Sequence, residues 1–263
     1  MTWRLTLRRR VAPLLALPLV VAVTAAAPAG NDDGPYLPRT SLPDAIAILP
    51  PPPAPGSAAA RADQSVFAAT RALAGSARWR IATDDVTNAP LDRFACAIGV
   101  QLDAHRTPAL ARLLDRIGTG DLVGPVKAHY AVRRPYLGGD APICEPRTAH
   151  LAANGDYPSG HAANGWLEGL VLAQLLPGRA GPILARARSY GESRVVCGSH
   201  SVSAVQAGWQ AAAITFALLQ SRPAFRRDLA AARAELARLA PAAPRPDSGQ
   251  CAADTATLAR RPW

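Results

Sequence analysis

From about Ser57 onward the apolar residues follow helical spacing, and runs of alternating Val, Ile and Thr joined by hairpin turns are absent. Helical period without strand period restricts the chain to a mainly α fold. The pattern predicts helices over 62–75, 107–117, 126–132, 160–176, 181–193, 203–220 and 223–239. Two of them carry start signals. Thr107-Pro108 reads as an N-cap followed by proline at the first helical position, and Ser203 with Gln206 three residues on reads as a capping box.

The flanks differ from this body. Asn31-Asp32-Asp33-Gly34 is turn chemistry, and four consecutive prolines, Pro50 to Pro53, exclude a helix. Residues 28–56 therefore read as an extended, Pro-rich leader, 57–240 as one helical domain, and 241–263 as a Pro- and Ala-rich tail that Cys251 would pin. No internal repeat is evident. With 263 residues, 49% of them hydrophobic and 18% charged, the chain is rich enough in apolar side chains for a packed core.

The formal charge of +10 invites a nucleic-acid reading until its distribution is examined. Arg4, Arg8, Arg9 and Arg10 precede the apolar run 11–27, which ends in the small residues Ala25 to Ala27; this is the composition of an export signal. Cleavage after residue 27 removes four arginines and no acids, taking the charge from +10 to +6. The apolar run is shorter than the roughly 20 residues a membrane span needs. Later apolar stretches are interrupted, 166–176 by Glu168 and Gln174, and 204–219 by Gln206 and Gln210. The expectation is a periplasmic or secreted protein without stable membrane insertion. Aromatic residues make up 5% with no stacking pattern, so no nucleic-acid partner is expected. A homo-oligomeric state stays open.

Cys96, Cys144, Cys197 and Cys251 are an even number in an oxidising compartment, which favours one or two disulfides, with three full pairings open. No C-x-x-C element is present, which argues against a structural zinc site.

Three blocks carry chemistry. Lys127 is the only lysine among 29 basic residues, and six residues separate it from Arg134-Pro135. Pro158-Ser159-Gly160-His161 stands directly before an apolar periodic run, so Ser159 and Gly160 fall at a helix N-terminus, where free N–H groups and the positive dipole end attract anions. Ser193-Arg194 is followed after five residues by His200, pairing a guanidinium suited to bidentate phosphate contact with a second imidazole. His105 and His150 read as surface or core residues and His129 as a neighbour of the first block. Tyr130, Tyr136 and Tyr157 flank the blocks, either at a pocket mouth or in the core.

In this order the blocks match K-x6-R-P, P-S-G-H and S-R-x5-H. The chain thereby resembles the type 2 phosphatidic acid phosphatase superfamily, which includes vanadium haloperoxidases, and within it the bacterial class A non-specific acid phosphatases. The likeness extends to Leu49–Pro53 with Gly56-Ser57-Ala58, to Ala68 with Thr70–Leu73, to Phe94–Gly99 and to Gly191–Gly198. It implies an all-α, single-domain helical bundle of the acid phosphatase/haloperoxidase type that hydrolyses small phosphorylated substrates without a metal or other cofactor. In the implied mechanism His200 attacks phosphorus to form a phosphohistidine and His161 protonates the leaving oxygen, while Lys127, Arg134, Ser159, Gly160 and Arg194 bind the phosphate.

One position departs from the pattern. The family motif runs S-R-x5-H-x3-D, with the aspartate orienting the nucleophilic histidine, and here the residue is Ala204. Two substitutes are suggested by spacing: Glu168, seven residues after His161 on the same helix face, and Gln206. Without a substitute, the site would be a low-turnover phosphate or vanadate binder, and the motifs alone also admit a vanadate-dependent haloperoxidase.

Overall fold

Ser57, Ser76, Thr148, Ser159, Ser201 and Asp247 each accept the backbone N–H of the residue three further on, and each opens a helix. Such a cap fills one of the N-terminal donors that a helix leaves free and is worth about 1 kcal/mol. In the computed structural model, which describes residues 34–87, 90–239 and 243–263, the chain runs through α1 (Ala45–Ile48), α2 (Ala58–Thr70), α3 (Ala77–Asp84), α4 (Pro90–Ile98), α5 (Pro108–Arg116) and α6 (Gly120–Tyr130). It continues through α7 (Ala149–Ala153), α8 (Gly160–Leu175), α9 (Ala180–Val196), α10 (Val202–Gln220), α11 (Pro223–Leu239) and α12 (Ser248–Ala259). No strand occurs among the described residues, and the fold is all-α. The export signal expected at 1–27 lies outside them.

The described residues depart from the sequence reading in local detail. The leader is not extended throughout: Asp44 caps α1 by accepting from Ile46 N, and α1 packs on α6. Ser203 and Gln206 form no capping box, because Ser201 supplies the α10 cap and Ser203 N donates instead to Asp63. Helix α6 starts at Gly120 rather than Val126, with Pro125 inside it, so one backbone bond is forgone. The tail contains α12, tied to α4 by the Cys96–Cys251 disulfide; the second pairing is Cys144–Cys197.

Helix α8 is central, lying against both α9 and α10. Phe94, Leu110, Leu113, Leu167, Leu172, Ile183 and Phe225 fill the main core around it. A smaller cluster of Leu49, Leu122, Val126, Tyr157, Ala163 and Ala204 joins α1, α6, α8 and α10. The α8–α10 approach is close enough to require glycine: a Cβ on Gly208 would stand 2.5 Å from Ser159 O. Helix α10 is also the one described helix long and apolar enough to cross a bilayer by length and composition, Gln206 and Gln210 notwithstanding.

The α5 start is satisfied from a distance. The Thr107 hydroxyl donates to Asp103 O and caps nothing, while the Glu235 carboxylate on α11 accepts from Ala109 N at 3.0 Å and Leu110 N at 2.9 Å. Glu235→Ala strips two buried donors of their partner and removes an anion from a helix N-terminus. It is expected to cost about 2 kcal/mol, read as a lowered denaturation midpoint; an unchanged midpoint would show the bonds are not made in solution.

Candidate active site

Three distant stretches line one cavity of about 620 Å³, to which they contribute Lys127, Arg134, Gly160, His161, Arg194 and His200. Lys127 projects from the last turn of α6, which ends at Ala131 in a left-handed conformation (φ 46°) with Ala131 N bonded to Lys127 O. Its ammonium donates to Gly155 O and, at 3.5 Å, to Asp156 O. Arg134, in the loop beyond, is buried; its Nε donates to Asn154 O at 2.6 Å and its Nη1 to Ser199 O at 2.9 Å. Backbone carbonyls thus fix both cations, and among the described residues no carboxylate forms an ion pair with either.

Gly160 begins α8 at the cavity wall, with nothing within 4 Å of where a Cβ would stand. The space beside this positive helix end suits an anion. Ser159 sits behind it, fully buried: its N–H donates to Ala204 O at 2.9 Å and its hydroxyl oxygen accepts from Ala162 N. Ser159 therefore shapes the turn and ties the second block to α10, rather than standing on the wall.

Arg194, at the end of α9, has no exposed surface. Its Nη2 donates to Glu145 Oε1 at 2.5 Å, and the same carboxylate oxygen accepts from the Ser199 hydroxyl. Arg194 Nε and Nη1 have no hydrogen-bond partner among the described residues. Buried guanidinium donors left unpaired are costly. Here Arg194 also lines the cavity, so its unpaired N–H groups are donors available to an oxyanion there.

His200 is held on both ring nitrogens. Arg134 Nη1 lies 3.0 Å from Nε2, and Asp156 Oδ1 lies 2.9 Å from Nδ1. A guanidinium has no lone pair to offer, so Nε2 must be the acceptor and Nδ1 must carry the proton. The tautomer is fixed, with the Nε2 lone pair accepting from Arg134 at the cationic pocket.

The titrating groups follow from this crowding. Burial, followed by Arg134, Lys127 and Arg194, holds His200 well below its ordinary value, so its ring is neutral. Burial and then Arg194 lower His161 to about 4, against the opposing pull of Glu145. Burial and then Arg134 bring Lys127 down to about 8, so it stays charged in mild acid. Glu145 is held below its ordinary value by Arg194 and the Ser199 hydroxyl, which outweigh the effect of burial.

Neither orienting group expected from spacing reaches His200. Glu168 lines the cavity, but its Oε2 accepts from Arg93 Nη1 at 2.6 Å; Gln206 is exposed on α10. The carboxylate at His200 belongs to Asp156, two residues before Pro158, and sequence spacing did not find it. Glu145 was missed as well; its one sequence signal is adjacency to Cys144. His150, read from sequence as outside the site, lines the cavity from α7, whereas His105 and His129 are exposed. Tyr136 and Tyr157 are buried, and the cavity tyrosine is Tyr190.

Comparison with known proteins gives a consistent result. Residues 110–227 match the PAP2 superfamily, a span that contains all three blocks. The chain is 40% identical over 214 residues to an acid phosphatase of Zymomonas mobilis, covering 79% of this chain and 81% of that one. It is 36% identical to a non-specific acid phosphatase of Salmonella typhimurium, covering 72% and 78% of the two chains. To one of Providencia stuartii it is 35% identical, covering 83% and 93%.

Proposed function

The chain belongs to the PAP2 superfamily and, within it, to the acid phosphatases, and from that premise we propose that it hydrolyses small phosphomonoesters through a phosphohistidine on His200, outside the cytoplasm and without a metal ion. One observation carries the mechanism: His200, its Nε2 kept as an unprotonated acceptor by Arg134, lines the same cavity as Arg194 with its unpaired N–H groups.

Phosphoryl transfer spreads negative charge over the equatorial oxygens, so catalysis consists of positioned positive charge and N–H donors. Arg194 Nε and Nη1, Arg134, Lys127 and the α8 N-terminus at Gly160 provide these, which is the work metal ions do in other phosphoryl-transfer sites. As Arg134 Nη1 passes its hydrogen bond from the imidazole to a phosphate oxygen, His200 Nε2 attacks phosphorus in line, the P–O bond to the alcohol breaks, and His161 gives its proton to the departing oxygen. Water then attacks the phosphohistidine, losing a proton to His161, and phosphate leaves with His200 restored. The two imidazoles start in opposite protonation states, neutral at His200 and protonated at His161. Export is supported by the basic and then apolar N-terminus and by the two disulfides.

The reading is tested with p-nitrophenyl phosphate in the presence of a chelator. Hydrolysis is expected, with kcat/KM falling as pH rises above the free-enzyme His161 value of about 4, because only the protonated ring can serve as acid. The fall approaches tenfold per pH unit, while kcat persists to higher pH because a bound anion stabilises the imidazolium. Activity that appears only on adding a divalent metal, or that peaks in alkali, would overturn the reading.

A further inference from the structure

We infer that Asp156 is the positioning residue for His200, supplying from the loop before α8 the carboxylate that position 204 on α10 does not provide. This rests on His200 being the nucleophile, and the argument for it is geometric.

The contact is direct and dry: Nδ1 to Oδ1 is 2.9 Å, with the two side chains 2% and 4% exposed. Arg134 at Nε2 leaves Nδ1 as the protonated nitrogen, so the carboxylate accepts a real N–H and faces positive charge when the ring is phosphorylated. Asp156 is itself locked. Ser201 N donates to Oδ1 at 3.1 Å and the Ser201 hydroxyl to Oδ2 at 2.6 Å, while Asp156 N donates to Val132 O at 2.7 Å. Burial pushes this carboxyl up to about 6 even though the Ser201 donors, Lys127 and Arg134 favour its ionised form. A carboxylate held by both Ser201 donors keeps the imidazole in one orientation.

Position 204 has the opposite character. Ala204 is fully buried within the apolar cluster that includes Leu122 and Val126, and its N and O are spent on Ser201 Oγ and on Ser159 N. The family pattern expects aspartate at this place. The carboxylate is thus absent from α10 and supplied by the loop before α8. Its new location puts Asp156, the Gly160 helix start and His161 within six consecutive residues.

Asp156 contacts His200 and not the phosphate cavity wall, so its loss is expected in kcat and not in binding. Asp156→Asn preserves an acceptor for Nδ1–H and for Ser201 N but removes the charge. It should lower kcat by about 10³-fold, the scale seen when such a carboxylate is neutralised in other histidine-dependent enzymes being near 10⁴. KM and inhibition by inorganic phosphate should stay within about threefold, with His200 still phosphorylated, only slowly. Ala204→Asp alone should not raise kcat, because the Nδ1 proton is already taken. In the exchange variant Asp156→Ser/Ala204→Asp, kcat should recover at least tenfold over Asp156→Ser, a rescue that a purely structural role in holding Ser201 does not produce.

Asp156→Asn with near-normal kcat and a phosphohistidine formed at the normal rate would overturn this inference and leave the nucleophile assignment standing. A tenfold gain from Ala204→Asp in the otherwise native chain would also overturn it. Absence of phosphate on His200 in the native enzyme would instead overturn the underlying mechanism. If Asp156→Asn does not fold, the exchange variant still decides: kcat at least tenfold above Asp156→Ser supports the inference, and a folded exchange variant that falls short of this refutes it.

Discussion

His200→Ala is expected to eliminate phosphomonoester hydrolysis, by at least about 10⁴-fold in kcat, while leaving inorganic phosphate bound. The asymmetry follows from the ring's position. Its Nε2 carries a lone pair and Nδ1–H is consumed by Asp156, so the neutral ring donates nothing to a bound anion. In the proposed mechanism the donors to phosphate belong to other residues, among them Arg194 with its unpaired Nε and Nη1. The variant also frees Arg134 Nη1 from the imidazole, adding one donor to the pocket. The measurements are steady-state turnover of p-nitrophenyl phosphate, acid-labile phosphate retained on the protein after rapid quench, and phosphate affinity by calorimetry. Turnover above a hundredth of the native rate would mean that some other group attacks phosphorus.

Arg194→Lys is the second large effect, expected at about 10³-fold in kcat/KM with a clear weakening of phosphate inhibition. The charge survives in this variant, so Coulomb attraction alone predicts a small change. What disappears is the rigid guanidinium: its Nη2 holds Glu145 while Nε and Nη1, buried and unpaired, remain as further donors, and a single ammonium cannot fill all of these positions at once. Losing one preorganised donor to a developing oxyanion costs about 10²–10³ in rate in other enzymes. The substitution also strands Glu145, which meets Arg194 Nη2 at 2.5 Å with its side chain 9% exposed. Combining Arg194→Lys with Glu145→Gln should restore stability without restoring rate. A near-native kcat/KM for Arg194→Lys would show that charge, and not the number and placement of the donors, is what the site uses.

The residues whose role depends on a local neighbour were legible in the sequence. Gly160 lies at a helix start because a capping serine precedes an apolar periodic run, and Lys127 and Arg134 share a helix end and the loop after it. The carboxylates were hidden because their partners are tertiary. Asp156 meets His200 across 44 residues and Glu145 meets Arg194 across 49; neither separation leaves a periodic trace. Spacing within one helix pointed instead to Glu168, whose seven-residue offset from His161 does bring it to the cavity, only for Arg93 to hold it there.

The unforeseen helices have similar causes. Helix α3 turns a buried Arg78 inward to Ser193 Oγ and Ser189 O, so the polar residue that spoils its apolar face in sequence is the one that anchors it. Helix α12 buries no residue and is fastened by Cys251. The capping box was misplaced by two residues because Ser201 and Ser203 offer the same chemistry, and Asp63 occupies the backbone N–H of the second.

The Cys144–Cys197 bridge has a consequence for how the protein is made. It fastens the residue before Glu145 to the loop joining Arg194 and His200, beside the carboxylate that steadies the guanidinium. Oxidation is therefore part of assembling the catalytic apparatus and not merely of toughening the shell. Material produced in a reducing cytosol would acquire its helices first and its full competence only on exposure to an oxidant.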